Sequence, residues 1–211
     1  MPPPTEGASA ATFAVTSRRR QVALAGHRGD EGGARRGLTD PNGPVRATAL
    51  GALARMGALT SDDIGSAAAD ADPRVRARAA ELAATLRPPV PSVAAGALAD
   101  PDPAVVEAGC FALGEMGTTV RCVVPVLAGV GRDHPDALCR EAAVAALGAI
   151  GDPAGLPLIL VAAASDKPAV RRRAVLALAP FSGPNVDAAL ARARTDRDWQ
   201  VRQAAEDLSG R

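Results

Sequence analysis

Apolar residues recur along the chain with the period of a helix, and this helical pattern itself recurs at a regular interval along the sequence. The anchor of each copy is an apolar residue, usually followed by arginine: Val45, Val75, Val105, Cys139, Val170 and Val201. Counting from each anchor, positions 0, +4 and +8 are small or apolar, which places them on one face of a helix. Repetition in several columns at this spacing predicts stacked helical units.

Each copy is predicted to contain two helices. An aspartate stands five residues before most anchors, with a proline close behind it, which predicts an N-cap followed by the first turn of a helix. Gly57, Gly117 and Gly151 are predicted to end three of these first helices. The second helices are predicted at 61–70, 90–99, 119–131, 153–164 and 184–194. The sequence therefore predicts an all-α fold of about six helix pairs over residues 17–211, after a disordered tail at 1–16.

Two stretches resemble a known family of repeats. Asp40-Pro41 followed by Val45-Arg46, and the run CREAAVAALGAIGDP at 139–153, look like HEAT repeats of the short type named after phycobilisome lyases. The resemblance covers roughly residues 38–208, and residues 18–29 resemble the end of an earlier, incomplete copy. It implies a right-handed α-solenoid whose anchor helices line a concave face. It also implies hydrogen-bonded ladders between copies, formed by loop acids and anchor arginines. Val106, His134 and Cys139 depart from the pattern, so we expect the ladder to be interrupted near the middle of the chain.

Composition and charge exclude several partners. The 24 basic and 23 acidic residues leave a formal charge of +1, which creates no global field toward nucleic acid or an anionic membrane. Aromatic residues make up 2% of the chain, too few for a base-stacking platform. Three cysteines without a C-x-x-C pair, no signal segment, and no apolar run longer than 155–164 predict a reduced, soluble cytoplasmic protein with no membrane partner.

Catalytic chemistry finds little support in the sequence. The family includes a di-iron hydroxylase with His-Glu ligand pairs, but His27 and His134 have no such glutamate beside them. The family also includes bilin lyases, and a lyase or oxidoreductase activity stays an alternative. Cys110 and Cys139 fall in apolar columns and are expected to be buried. We therefore predict no catalytic residue, no cofactor and no metal.

The arginines allow two interpretations. For the anchor arginines, pairing with the loop acids is preferred over a phosphate-binding stripe, because a carboxylate stands about one helical turn upstream of each arginine. The densest basic group lies near the C-terminus: Arg171, Arg172, Arg173, Arg192, Arg194 and Arg197. It suggests, as an alternative function, a DNA-associated protein similar to helical-repeat DNA glycosylases. Such enzymes need an aromatic-lined pocket, and the one tryptophan, Trp199, is expected to pack in a C-terminal cap.

The preferred function is a protein-binding scaffold whose partner the sequence does not name. Positions +2 and +6 lie off the core face and are predicted to line the concave groove. Phe111 and Leu176, both in the +6 column, are large and apolar, and charged side chains of the +2 column flank them, as in many interfaces. The predicted partner-binding residues are Phe111, Leu176, Glu107, Glu141, Arg172 and Arg173. In the alternative, Phe111 turns inward and fills space left by Gly109.

Overall fold

All of the regular secondary structure in the described part of the chain is helical. The structure, a computed structural model, describes the backbone of residues 6–209 and the side chains of residues 12–208. These residues form thirteen α-helices, two short 3₁₀ helices (Gly117–Val123 and Pro153–Gly155) and no strand. The α-helices are α1 Glu6–Arg28, α2 Glu31–Gly37, α3 Gly43–Met56, α4 Ser61–Ala68, α5 Pro73–Ala83, α6 Pro91–Ala97, α7 Pro103–Met116, α8 Val124–Asp133, α9 Ala137–Ile150, α10 Leu156–Ser165, α11 Pro168–Ala177, α12 Pro184–Ala193 and α13 Trp199–Ser209.

The chain divides into two compact units, Met1–Val93 and Ala94–Arg211. In the first unit α1 packs on α3 and α3 on α5, while α2 packs on α3 and α4 on α5. In the second unit α7, α9, α11 and α13 form the same kind of row, and α8, α10 and α12 pack beside them. Each unit is thus a stack of helix pairs, which confirms the predicted all-α solenoid class. The single domain over 17–211 stays a prediction.

Helix α1 begins well before the predicted start of the repeats. It covers residues 6–16, for which the sequence predicted a disordered tail; residues 1–5 lie outside the described part. Alanine, common in this stretch, has the highest helix propensity. Farther along α1, Val22 and Ala25 are buried. Together α1 and α2 make a complete helix pair ahead of the copy that starts at Asp40, where the sequence indicated only an incomplete one.

The turns before the first helices use two aspartates with different roles. The sequence predicted that Asp70 is the N-cap of its helix, but the N-cap of α5 is Asp72, whose side chain accepts a hydrogen bond from the Arg74 backbone N–H. The Asp70 carboxylate instead accepts the backbone N–H of Asp72 at 2.8 Å and shapes the turn. The pairs Asp100/Asp102 and Asp196/Asp198 repeat this arrangement. Gly57, Gly117 and Gly151 end their helices as predicted, with φ of 68°, 59° and 65°.

Small residues let the helices approach closely. At Gly148 in α9, an added Cβ would lie 2.6 Å from the Cβ and 2.7 Å from the Cα of Ala177 in α11. Backbone atoms cannot move away as a flexible side chain could. This close contact requires a glycine at position 148.

Gly148→Ala should therefore lower the free energy of unfolding by about 2 kcal/mol through overpacking. Gly129, in the middle of α8, has open space around the same position. There the change to alanine should stabilise the protein by about 0.5–1 kcal/mol because alanine favours the helix. Urea unfolding followed by circular dichroism compares the two variants. If both variants changed the free energy of unfolding equally, α9 and α11 would have to be farther apart at Gly148 than these distances.

One helical stretch within the described residues, Pro103–Asp133, is long and apolar enough to cross a membrane by length and composition alone. This was not seen from the sequence, where 155–164 was the longest apolar run. The stretch consists of α7, a 3₁₀ helix and α8, and its backbone departs from helical geometry at Val120. Its buried side chains, among them Val105, Leu113 and Leu127, belong to the repeat core.

Candidate partner-binding groove and arginine ladder

Three anchor arginines join successive repeats through paired hydrogen bonds. Arg46 donates from Nε and Nη2 to the Asp70 carboxylate at 2.7 and 2.6 Å. Arg140 does the same to Asp166 at 2.9 and 2.7 Å, and Arg171 to Asp196 at 2.8 and 2.7 Å. Such two-point contacts are the strongest form of arginine–carboxylate pairing.

The carboxylate partner belongs to the following repeat. The sequence suggested the carboxylate one turn upstream, and this detail was wrong: the upstream aspartate offers its backbone carbonyl instead. Arg46 Nη1 donates to the carbonyl of Asp40 at 2.8 Å, and Arg171 Nη1 to that of Asp166 at 2.8 Å. Each guanidinium therefore connects the loops of two repeats. Because these donors are already used within the protein, the three arginines are structural, as the sequence predicted.

The ladder is interrupted where the sequence indicated. Val106, in the arginine column, is buried and apolar, and the loop that would have paired with it carries His134. Here Nδ1 of His134 accepts the backbone N–H of Asp136 at 3.1 Å, as the Asp70 carboxylate does for Asp72. The imidazole therefore preserves the turn. Neither the arginine nor the carboxylate of the ladder is present at this joint, since Val106 and His134 take their places.

The ion pairs of the ladder make the stability of the fold depend on pH. Hydrogen bonds from Arg46, Arg140 and Arg171 lower the pKa of Asp70, Asp166 and Asp196 below the ordinary value of 3.8. A carboxylate whose pKa is lower in the folded than in the unfolded chain stabilises the fold above the unfolded value. That stabilisation is lost as the pH falls through the folded value.

We expect the free energy of unfolding to decline below about pH 4. Asp166→Asn should be less stable at neutral pH and should decline less steeply in acid, since one of the linked carboxylates is gone. Urea midpoints measured across this range test the expectation. An acid slope unchanged by the substitution would contradict the assignment of Asp166 to the linkage.

A cleft of about 450 Å³ lies on the faces of α7, α9 and α11 within the second unit. Four alanines of α9 line it: Ala142, Ala145, Ala146 and Ala149. Phe111 of α7 and Leu138 of α9 line it as large apolar side chains, 61% and 58% exposed. We refer to this cleft, with its lining residues, as the Phe111 groove.

Charged side chains frame the Phe111 groove. Glu107 and Glu115 lie one turn to either side of Phe111 on α7, and both are exposed. Glu141 of α9 accepts a hydrogen bond from Arg173 Nε of α11 at 3.2 Å. Three carboxylates against one guanidinium leave the described lining of the groove negatively charged.

Four of the six predicted partner-binding residues line this groove: Phe111, Glu107, Glu141 and Arg173. Leu176 and Arg172, on α11, are half-buried and lie outside its lining. The inward alternative for Phe111 does not hold, because α6 fills the space at Gly109. A Cβ added there would lie 2.7 Å from the Ala94 carbonyl oxygen and 2.8 Å from the Ala97 Cβ.

Leu138 and Glu115 were missed from the sequence. Counted from the anchors of their helices, Leu138 stands at −1 and Glu115 at +10. Each residue advances about 100° around a helix, which puts these positions in the angular order +2, +6, −1 and +10. The groove is therefore centred farther round the helix than the predicted +2 and +6 columns. The helical wheel alone could have placed Leu138 and Glu115 beside Phe111.

The C-terminal arginines do not form a continuous basic patch. The Arg171 side chain is 5% exposed in its pair with Asp196, and Arg173 pairs with Glu141 at 3.2 Å. Two of the six positive charges are thereby matched by carboxylates. The expectation that Trp199 packs in a cap was wrong, since this side chain is 64% exposed in the first turn of α13.

The cysteines are buried where the apolar columns predicted. Cys110 and Cys139 are free and buried, and burial raises the pKa of their thiols to about 12 and about 11. A thiol with so high a pKa is a poor nucleophile at neutral pH. Among the described residues, no three His, Cys, Asp or Glu side chains come together as a metal site requires.

The profile of HEAT repeats matches residues 61–148 and 124–209. The chain therefore belongs to the HEAT-repeat family, as its resemblance predicted. No curated protein matches its sequence.

Solved structures of similar fold include YibA of Escherichia coli, with 18% identity, a TM-score of 0.61, and coverage of 82% of this chain and 67% of that one. An engineered protein has 18% identity, a TM-score of 0.63, and coverage of 85% and 96%. Human deoxyhypusine hydroxylase has 19% identity, a TM-score of 0.49, and coverage of 92% and 78%. The first two likenesses show the fold alone, and the third supports no conclusion.

Proposed function

We propose that this protein is a non-catalytic scaffold that binds another protein through the Phe111 groove. The observation that carries the proposal is the pair of exposed apolar side chains, Phe111 and Leu138, in a cleft that is also lined by alanines. Stacked repeats offer extended binding surfaces without a catalytic pocket. An apolar centre with a charged rim is the usual composition of such a surface.

The chemistry of the groove favours an amphipathic helix as the bound segment. Burying an apolar side chain of such a helix against Phe111 and the alanines of the lining would contribute about 2 kcal/mol. Glu107 and Glu115 would face basic residues on either side of that apolar contact. Complementary charge of this kind selects the partner and speeds its association.

A photo-crosslinking amino acid in place of Phe111 tests the proposal in the native cell. The control carries the same group in place of Val161, which is 59% exposed on α10. We expect one protein to be crosslinked from position 111 and not from position 161, through a basic amphipathic segment. Crosslinks of the same pattern from both positions, or none from position 111, would contradict the proposal.

A further inference from the structure

A second cleft, in the first unit, has the opposite charge. It lies along α1, α3 and α5 and has a volume of about 430 Å³. Four arginines line it: Arg19, Arg55, Arg74 and Arg78. The other described lining residues are alanine, glycine, proline and threonine, so no acidic or aromatic side chain is among them. We refer to it as the arginine cleft.

The positive charge of the arginine cleft is mostly uncompensated. Arg78 pairs with Glu81 at 2.7 Å in an exposed contact, and Arg19 Nε donates to Thr48 Oγ1 at 3.4 Å. Throughout the described residues, Arg55 and Arg74 have no carboxylate within ion-pair distance. This differs from the ladder, where a carboxylate is supplied for Arg46, Arg140 and Arg171. The charges of the cleft are thus available to a ligand.

Glycines hold two of these guanidinium groups close to the helices. A Cβ added at Gly51 would lie 2.9 Å from Arg78 Nη2, and one added at Gly26 would lie 3.1 Å from Arg55 Nη1. Because glycine has no side chain, the guanidinium groups of Arg78 and Arg55 can lie close to the helix backbone at these positions. Both residues belong to the lining of the cleft.

We propose that the arginine cleft binds a phosphorylated segment of a partner protein. A phosphoryl group carries about −1.5 to −2 charges at pH 7 and three acceptor oxygens, enough for several guanidinium groups at once. A carboxylate has one charge and fits a single arginine, as the ladder shows. Single-stranded nucleic acid is disfavoured because the described lining offers no aromatic ring on which a base could stack. The proposal does not depend on the Phe111 groove.

The test measures binding of the full chain to a fluorescent mixture of short peptides with a fixed phosphoserine among randomised positions. A twin mixture with serine is the control ligand. We expect only the phosphorylated mixture to bind, with an affinity that falls as salt is raised, and inorganic phosphate to compete at much higher concentration. Arg55→Ala with Arg74→Ala should weaken binding about tenfold or more.

Arg132→Ala, which removes an arginine 65% exposed in the second unit, is the matched control and should bind like the unchanged protein. Arg55→Lys with Arg74→Lys keeps the charge but loses the two-point contact, so binding should fall only in part. The proposal is overturned if the phosphorylated mixture does not bind. It is also overturned if the serine twin binds equally, if the alanine variant binds unchanged, or if duplex DNA binds more tightly than the phosphorylated mixture.

Discussion

Asp196→Ala should lower the free energy of unfolding by about 2–3 kcal/mol. The substitution removes the carboxylate that receives two hydrogen bonds from Arg171, whose side chain is 5% exposed. The guanidinium would stay in a site with little access to water and without its charge partner. The turn would also lose the bond from the Asp198 backbone N–H at 2.8 Å.

An exposed ion pair gives the matched control for Asp196→Ala. Arg132 Nη2 and Asp133 Oδ2 lie 3.1 Å apart, and the two side chains are 65% and 66% exposed. Asp133→Ala should change the stability by less than about 0.5 kcal/mol, since water screens such pairs. Urea unfolding of both variants measures the difference, and similar losses would mean that the ladder contributes no more than a surface contact.

Phe111→Ser with Leu138→Ser should abolish binding of the partner, with a loss of roughly a hundredfold or more in affinity. Both side chains are mostly exposed in the free protein, so their loss should change the stability by less than about 1 kcal/mol. Val161→Ser removes an equally exposed apolar side chain from α10. It should leave the affinity unchanged. A double variant that unfolds would place Phe111 and Leu138 in the core.

The repeat pattern was enough to predict the helix pairs because the 0, +4 and +8 columns are fixed by helix geometry. The turns were harder to predict. Asp70 and Asp72 are both plausible caps in the sequence, and only the stacking of repeats shows that Asp70 serves Arg46 of the preceding one. Arg46 and Asp70 are 24 residues apart in the sequence, and this separation alone does not predict that they are in contact.

The Phe111 groove and the arginine cleft were predicted only in part, because they too depend on which helices are neighbours in the fold. Phe111 stood out because a large apolar residue occupied an exposed column. Arg55 and Arg74 did not stand out, since arginine is frequent throughout the chain. What distinguishes them is that they line one cleft together with Arg19 and Arg78, with no acidic residue in the described lining. This depends on which helices are neighbours in the fold.

The footprint of the bound partner tests the central claim most directly. Amide hydrogen exchange of the full chain would be measured with and without the protein that is crosslinked from position 111. We predict slower exchange in α7 and α9, around Phe111 and Leu138, and no comparable change in α10 around Val161. Slower exchange confined to α10 and α12, with α7 and α9 unchanged, would contradict the assignment of the Phe111 groove as the binding site.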